Sequence, residues 1–143
     1  MDLTNEITDG IGKALSKEFP GCEIYQNDVE QGLTEPCFFI MPLTVSRVQM
    51  VGARWRQDMP FQITYIPEFG RENRNMNEIA ARLYLALNFV EGNGGNLHHG
   101  YQMRHEIVDD TVQFSVNYTA FLILPDDIPE MEQLKQETTL KEE

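Results

Sequence analysis

The sequence predicts an α+β fold, a mainly antiparallel sheet built from two long hairpins with two helices packed on it. Three observations carry this. From Val112 onward every second residue is apolar (Val112, Phe114, Val116, Tyr118, Ala120, Leu122, Leu124), with Gln113, Ser115, Asn117 and Thr119 between them. That is the period of a strand with one face in a core. A second pair of strand-like runs, Cys37 to Val48 and Ala53 to Ile66, lies earlier in the chain. Two stretches with apolar residues at helical spacing supply the helices.

The first helix rests on Leu3, Ile7, Ile11, Leu15 and Phe19, an apolar stripe that Pro20-Gly21 ends. Gly10 and Gly12 inside it cost roughly 1 kcal/mol each relative to Ala and mark either close packing or a weak first turn. Cys22 to Gln26 is a short strand candidate, and Asn27 to Pro36 a polar, punctuated connecting loop. Cys37 to Met41 is apolar at every position, as in a strand covered on both faces. Pro42 and Pro60 predict a bulge or an edge in each run.

The second helix is expected from about Asn75 to Val90, with Asn75 and Glu78 as N-cap and reciprocal acid and Gly92 as the stop. It is apolar nearly all round, which predicts cover on two sides: a sheet on one and a subunit contact on the other. Glu91 to Leu97 (EGNGGNL) is read as a helix stop and flexible link. In the last hairpin, Tyr101, Met103, His105 and Ile107 alternate with polar residues up to a tight turn at Asp109-Asp110. Beyond Thr119 the polar side of the final strand also turns apolar, at Phe121 and Ile123, so cover on both faces is expected there, by a helix of the same chain or by a neighbouring subunit.

At 143 residues the chain fits one domain, which buries about 68 to 70% of the surface exposed on unfolding and needs no disulfide or metal. The expected organisation is a single domain over residues 1–125 and an acidic, flexible tail over 126–143. That tail holds seven acids against two lysines. Cys22 and Cys37 lack any paired-ligand spacing and read as free thiols of a reducing compartment. No apolar run approaches the ~20 residues of a membrane span. A membrane is therefore not expected as a partner, and the net charge of −12, which repels phosphate backbones, argues against sequence-specific nucleic acid.

Site chemistry is absent from the sequence in every form sought. His98, His99 and His105 lack the spacing of a metal site, since adjacent strand residues point to opposite faces, and they read as loop and sheet-surface histidines. The glycine-rich EGNGGNL segment follows a helix instead of opening one, the reverse of a phosphate loop. No catalytic residue, cofactor or metal is therefore assigned. Arg54 and Arg56 share one strand face, and with Arg104 they are candidates for a subunit or tube interface; a solvated sheet face is the alternative.

Glu23 to Ile40 (EIYQNDVEQGLTEPCFFI), Ala53 to Pro67 (ARWRQDMPFQITYIP) and Met103 to Leu122 (MRHEIVDDTVQFSVNYTAFL) resemble the tail terminator family of tailed phages and their defective prophage relatives. The resemblance covers the chain from the first helix to about Pro125. It implies a structural, non-enzymatic protein made in the host cytoplasm and built into the virion tail. As a hexameric ring, monomeric while dilute, it would cap the head-proximal end of the tail tube, end polymerisation and offer the docking surface for the head connector. Its implied partners are itself, the tail tube or sheath protein, and the head–tail connector. Another neck or head–tail joining protein is the second reading, and a small-ligand or enzymatic module the third.

Overall fold

The computed structural model describes residues 2–26, 33–68 and 76–125. Asp2 begins the fold by accepting the Asn5 N–H at 3.3 Å, an N-cap for helix α1 (Leu3–Glu18). Ile7, Ile11, Leu15 and Phe19 are all buried along its stripe. Gly10 is there for packing: a Cβ at this position would lie 2.6 Å from the Glu91 carbonyl oxygen. Strand β1 (Glu23–Gln26) follows and pairs parallel with β2 (Cys37–Pro42).

The described residues fall into two compact units, those within 2–46 and 58–119, and those of 47–57 with 120–125. In the first unit β2 pairs antiparallel with β4 (Arg54–Ile66), with Ile40 opposite Ile63 and Phe38 opposite Tyr65. Pro60 gives no donor to this ladder, yet its carbonyl accepts the Leu43 N–H at 2.8 Å, just past the end of β2. One face of β2 is closed through Phe38 and Ile40, whereas on the other Cys37 is buried, Phe39 half-buried and Met41 exposed, so the expected cover on both faces is partial.

Helix α2 (Met76–Ala86) is shorter than the periodicity suggests. Its predicted cap, Asn75, lies outside the described residues, as do the acidic tail 126–143, part of the connecting loop, Arg71 and Arg74. At the other end the helix stops before Phe89, because Phe89–Glu91 forms strand β5, paired antiparallel with β6 (Leu97–Val108). Three backbone and side-chain bonds draw the chain off the helix. The Tyr118 hydroxyl donates to the Leu87 carbonyl at 2.6 Å, and the Gly100 N–H donates to the Asn88 carbonyl at 2.8 Å. Gly92 N–H donates to Asn96 O at 2.7 Å, closing the turn from β5 to β6. Thus EGNGGNL is a strand-to-strand turn, and Gly92 is not a helix stop. Aromatic and β-branched Phe89 and Val90 fit a strand better than a helix end.

Strands β6 and β7 (Thr111–Ile123) form the final hairpin. Asp109 and Asp110 both take the left-handed conformation, φ 48° and 60°, as a two-residue hairpin turn requires. An irregularity between Tyr101 and Arg104, with Gln102 at φ 58°, inserts a residue into β6. Before it Gly100 faces the core; after it Met103 and His105 do, and Tyr101 is turned outward, against the expected alternation. The sheet order is β1-β2-β4-β7-β6-β5. Both helices lie on the face carrying Phe38, Ile40, Phe61, Ile63, Phe114, Val116 and Tyr118, all buried. Contacts such as Phe19 with Phe38 (centroids 4.9 Å) and Tyr84 with Phe114 (4.9 Å) join the layers. Each such side chain contributes roughly 1.5 to 3 kcal/mol by burial.

In the second unit β3 (Ser46–Gln49) pairs with β4. Its turn is held by Met50 N–H to Arg54 O and Arg54 N–H to Val51 O. Leu124 N–H donates to Ala53 O at 2.8 Å, tying the end of β7 to the start of β4.

Candidate functional site

Each histidine has a structural partner. His98, on β6 and facing inward, brings Nε2 to 3.4 Å from Glu6 Oε2, and the same oxygen accepts the Asn93 N–H at 3.0 Å. Gly92 belongs to this cradle, since a Cβ there would collide with the Glu6 carboxylate. His98 is therefore not a loop or surface residue; through Glu6 it ties the first turn of α1 to β6, as the Asn93 N–H ties it to the β5–β6 turn. His105 binds Tyr84 through Nδ1 at 2.8 Å and reaches Asn77 Oδ1 with Nε2 at 3.4 Å. A neutral ring protonated on Nε2 satisfies both. His99 stacks on Phe89 with centroids 4.7 Å apart. Among the described residues no group of three His, Cys, Asp or Glu is placed to hold a metal.

Two hollows open on the first unit. One, of about 250 Å³, is lined by Gln62, Arg104, His105, Glu106, Gln113 and Ser115 on the sheet face away from the helices. The other, of about 680 Å³, runs beside α1 past Asp9, Lys13, Lys17, Gln26 and Asn93. Burial pushes the Tyr118 phenol up, and burial with Glu35 nearby pushes the Cys37 thiol up to about 11.

The three candidate arginines are divided between the units. Arg54 is exposed and Arg56 half-buried in the second, whereas Arg104 is exposed in the first, at the smaller hollow. At Phe121 and Ile123, where the sequence predicts cover, none is present among the described residues. Phe121 and Ile123 are 65% and 76% exposed, and Val51 82%. On the first unit Leu85 of α2 is 80% exposed, so this helix has one buried side and one bare side. The periodicity located Phe121, Ile123 and Leu85 but not Val51, and their lack of cover needed the fold. Large exposed apolar groups in such number mark contact surfaces more often than catalytic ones.

A family profile described as phage tail terminator protein matches residues 6–130. The chain belongs to the phage tail terminator family. This terminator-family chain is thus a structural protein of phage tail assembly, associated with tail and head components. No curated protein matches it. Among solved structures, one of similar length is 14% identical, with 83% of this chain and 91% of that one covered and a TM-score of 0.46. Among the described residues of this terminator-family chain, no helix is long and apolar enough to cross a membrane.

Proposed function

We propose that this protein closes the head-proximal end of a phage tail tube as a hexameric ring, ends tube growth and presents the surface to which the head connector docks. A tube of stacked rings exposes the same binding face after each addition. Growth stops when a ring of another protein matches the tube end below and presents a different face above. The observation that carries the reading, beside family membership, is the bare apolar side chains on each unit, Leu85 on the first and Val51, Phe121 and Ile123 on the second. Such groups gain about 25 cal/mol per Å² when a neighbour removes them from water. A net charge of −12 opposes indiscriminate self-stacking and keeps the dilute chain monomeric. Arg54, Arg56 and Arg104 are the proposed polar contacts to a neighbouring subunit or to the tube.

Electron microscopy of the purified protein mixed with tail tubes tests this. Six-fold rings seated on one tube end are expected. Tubes that keep both ends bare at saturating protein contradict it.

A further inference from the structure

The described residues of the two units differ in charge. The described residues of the second unit, 47–57 and 120–125, include Arg47, Arg54 and Arg56 and no acid. Those of the first carry thirteen acids against four Lys and Arg. Among the described residues, the exposed Val51, Phe121 and Ile123 thus share a unit with three arginines and no acid.

Register sharpens this patch. Leu124 N–H bonds Ala53 O, and Thr119 Oγ1 bonds Asp58 Oδ1 at 2.7 Å. The two pairs run in opposite order along β7 and β4, which makes the strands antiparallel. Ile123 then stands opposite Arg54, and Phe121 opposite Arg56, on one sheet face. The result is a ladder of alternating apolar and cationic side chains.

A counterpart lies on the first unit. Val90 is buried beneath α1, so Phe89 and Glu91 point away from it; Phe89 pairs with His99 and Glu91 with Leu97. His99 meets the Tyr101 ring edge-on at 6.0 Å. Phe89 and Leu97 are 52% and 65% exposed. This outward β5–β6 face is a ladder of apolar side chains with an acid in it.

We propose that the 47–57/120–125 surface of one copy docks on the outward β5–β6 face of a second copy, with Phe121 and Ile123 against Leu97 and Phe89, and Arg54 against Glu91. The contact deepens the ring reading and rests on it. Because the two surfaces differ, each copy gives one and receives one, and a contact of that kind closes into a ring when its rotation permits. A second copy fits better than a partner of other chemistry, because this chain itself carries both the apolar and the charge complement.

Cysteine trapping tests the contact. Phe121→Cys and Leu97→Cys are placed together and singly in a Cys22→Ser background and treated with a flexible bis-maleimide, as free protein and in purified tails. Cys37 is fully buried and stays silent. The double variant is expected to give a ladder of multiples in at least one sample, and each single variant only monomer. Adding Arg54→Glu should abolish the ladder, and adding Glu91→Arg to that should restore it. A dimer from Phe121→Cys alone would mean a symmetric contact and overturn the proposal. So would a product in which the Phe121→Cys thiol is joined to a different tail protein, or monomer alone in both samples. If the proposal fails in this way while tails keep normal length, the ring reading still stands.

Discussion

The Glu6 carboxylate, in the first turn of α1, accepts the backbone N–H of Asn93 at 3.0 Å across 87 positions of sequence. It is almost fully buried, and the missing side chain of Gly92 leaves it room. Glu6→Ala strands a donor in a site that water enters poorly, so it should destabilise the fold by about 1 to 3 kcal/mol. Gly92→Ala should also destabilise, by forcing the carboxylate out. Since both changes break the same contact, the double variant should cost less than their sum in denaturant melts. Strict additivity would mean the cradle does not act as a unit.

On β7, neighbouring positions of one strand should behave very differently. Phe114→Ala should cost roughly 3 to 5 kcal/mol, because a fully buried ring leaves a cavity. Phe121→Ala, on the bare side, should cost under about 0.5 kcal/mol. Asn117→Ala should be nearly neutral too: Asn117 Oδ1 is buried with no hydrogen-bond partner among the described residues, so its loss removes an unsatisfied group. Similar costs at all three positions would mean that the burial pattern is wrong.

Arg82 joins the two helices in three ways. Its Nε lies 3.0 Å from Glu18 Oε2, a second nitrogen donates to the Glu18 carbonyl at 2.6 Å, and the guanidinium sits 4.3 Å from the Phe19 ring centroid. The ion pair is well exposed and contributes little by itself. With the carbonyl bond and ring contact included, Arg82→Ala should cost about 1 to 2 kcal/mol. Arg82→Lys should recover less than half of that, because ammonium cannot fork or stack as guanidinium does. Thermal melts of both variants check this.

The cysteines should separate by reactivity. Burial raises both thiols, with Arg82 opposing the rise at Cys22, while the fully buried Cys37 is pushed up to about 11. Because the thiolate is the nucleophile, an alkylating reagent at neutral pH should label Cys22 well before Cys37. Raising the pH toward 9 should increase the rate at Cys22, and Cys37 should react only as the chain unfolds. Equal labelling in the native state, read by mass spectrometry, would contradict the burial.

Much of this fold was legible in local pattern. The alternation from Val112 to Tyr118 fixed the buried face of β7, and the four-residue spacing from Leu3 to Leu15 fixed α1, since each pattern repeats over many residues on one face. The second helix was misread because Leu87, Val90 and Phe89 extend its apolar spacing; what stops it is Tyr118 and Gly100, far away in sequence. No residue type announces the bulge at Gln102, so the outward turn of Tyr101 was not legible. The histidines were read as surface groups because the partners of His98 and His105, Glu6 and Tyr84, come from other elements. For the contact surface, Arg54 and Arg56 were visible as a strand pair, whereas the bareness of Phe121 and Ile123 is a property of tertiary packing that local alternation does not carry.

Tail length in a producing phage from which this gene has been deleted tests the central claim most directly. Electron micrographs of the lysate should show heads without tails beside free tails of abnormal, widely scattered length, and the gene supplied in trans should restore uniform length. Tails of normal length joined normally to heads would contradict the terminator function. Normal-length tails that fail to join would instead place the protein at the neck.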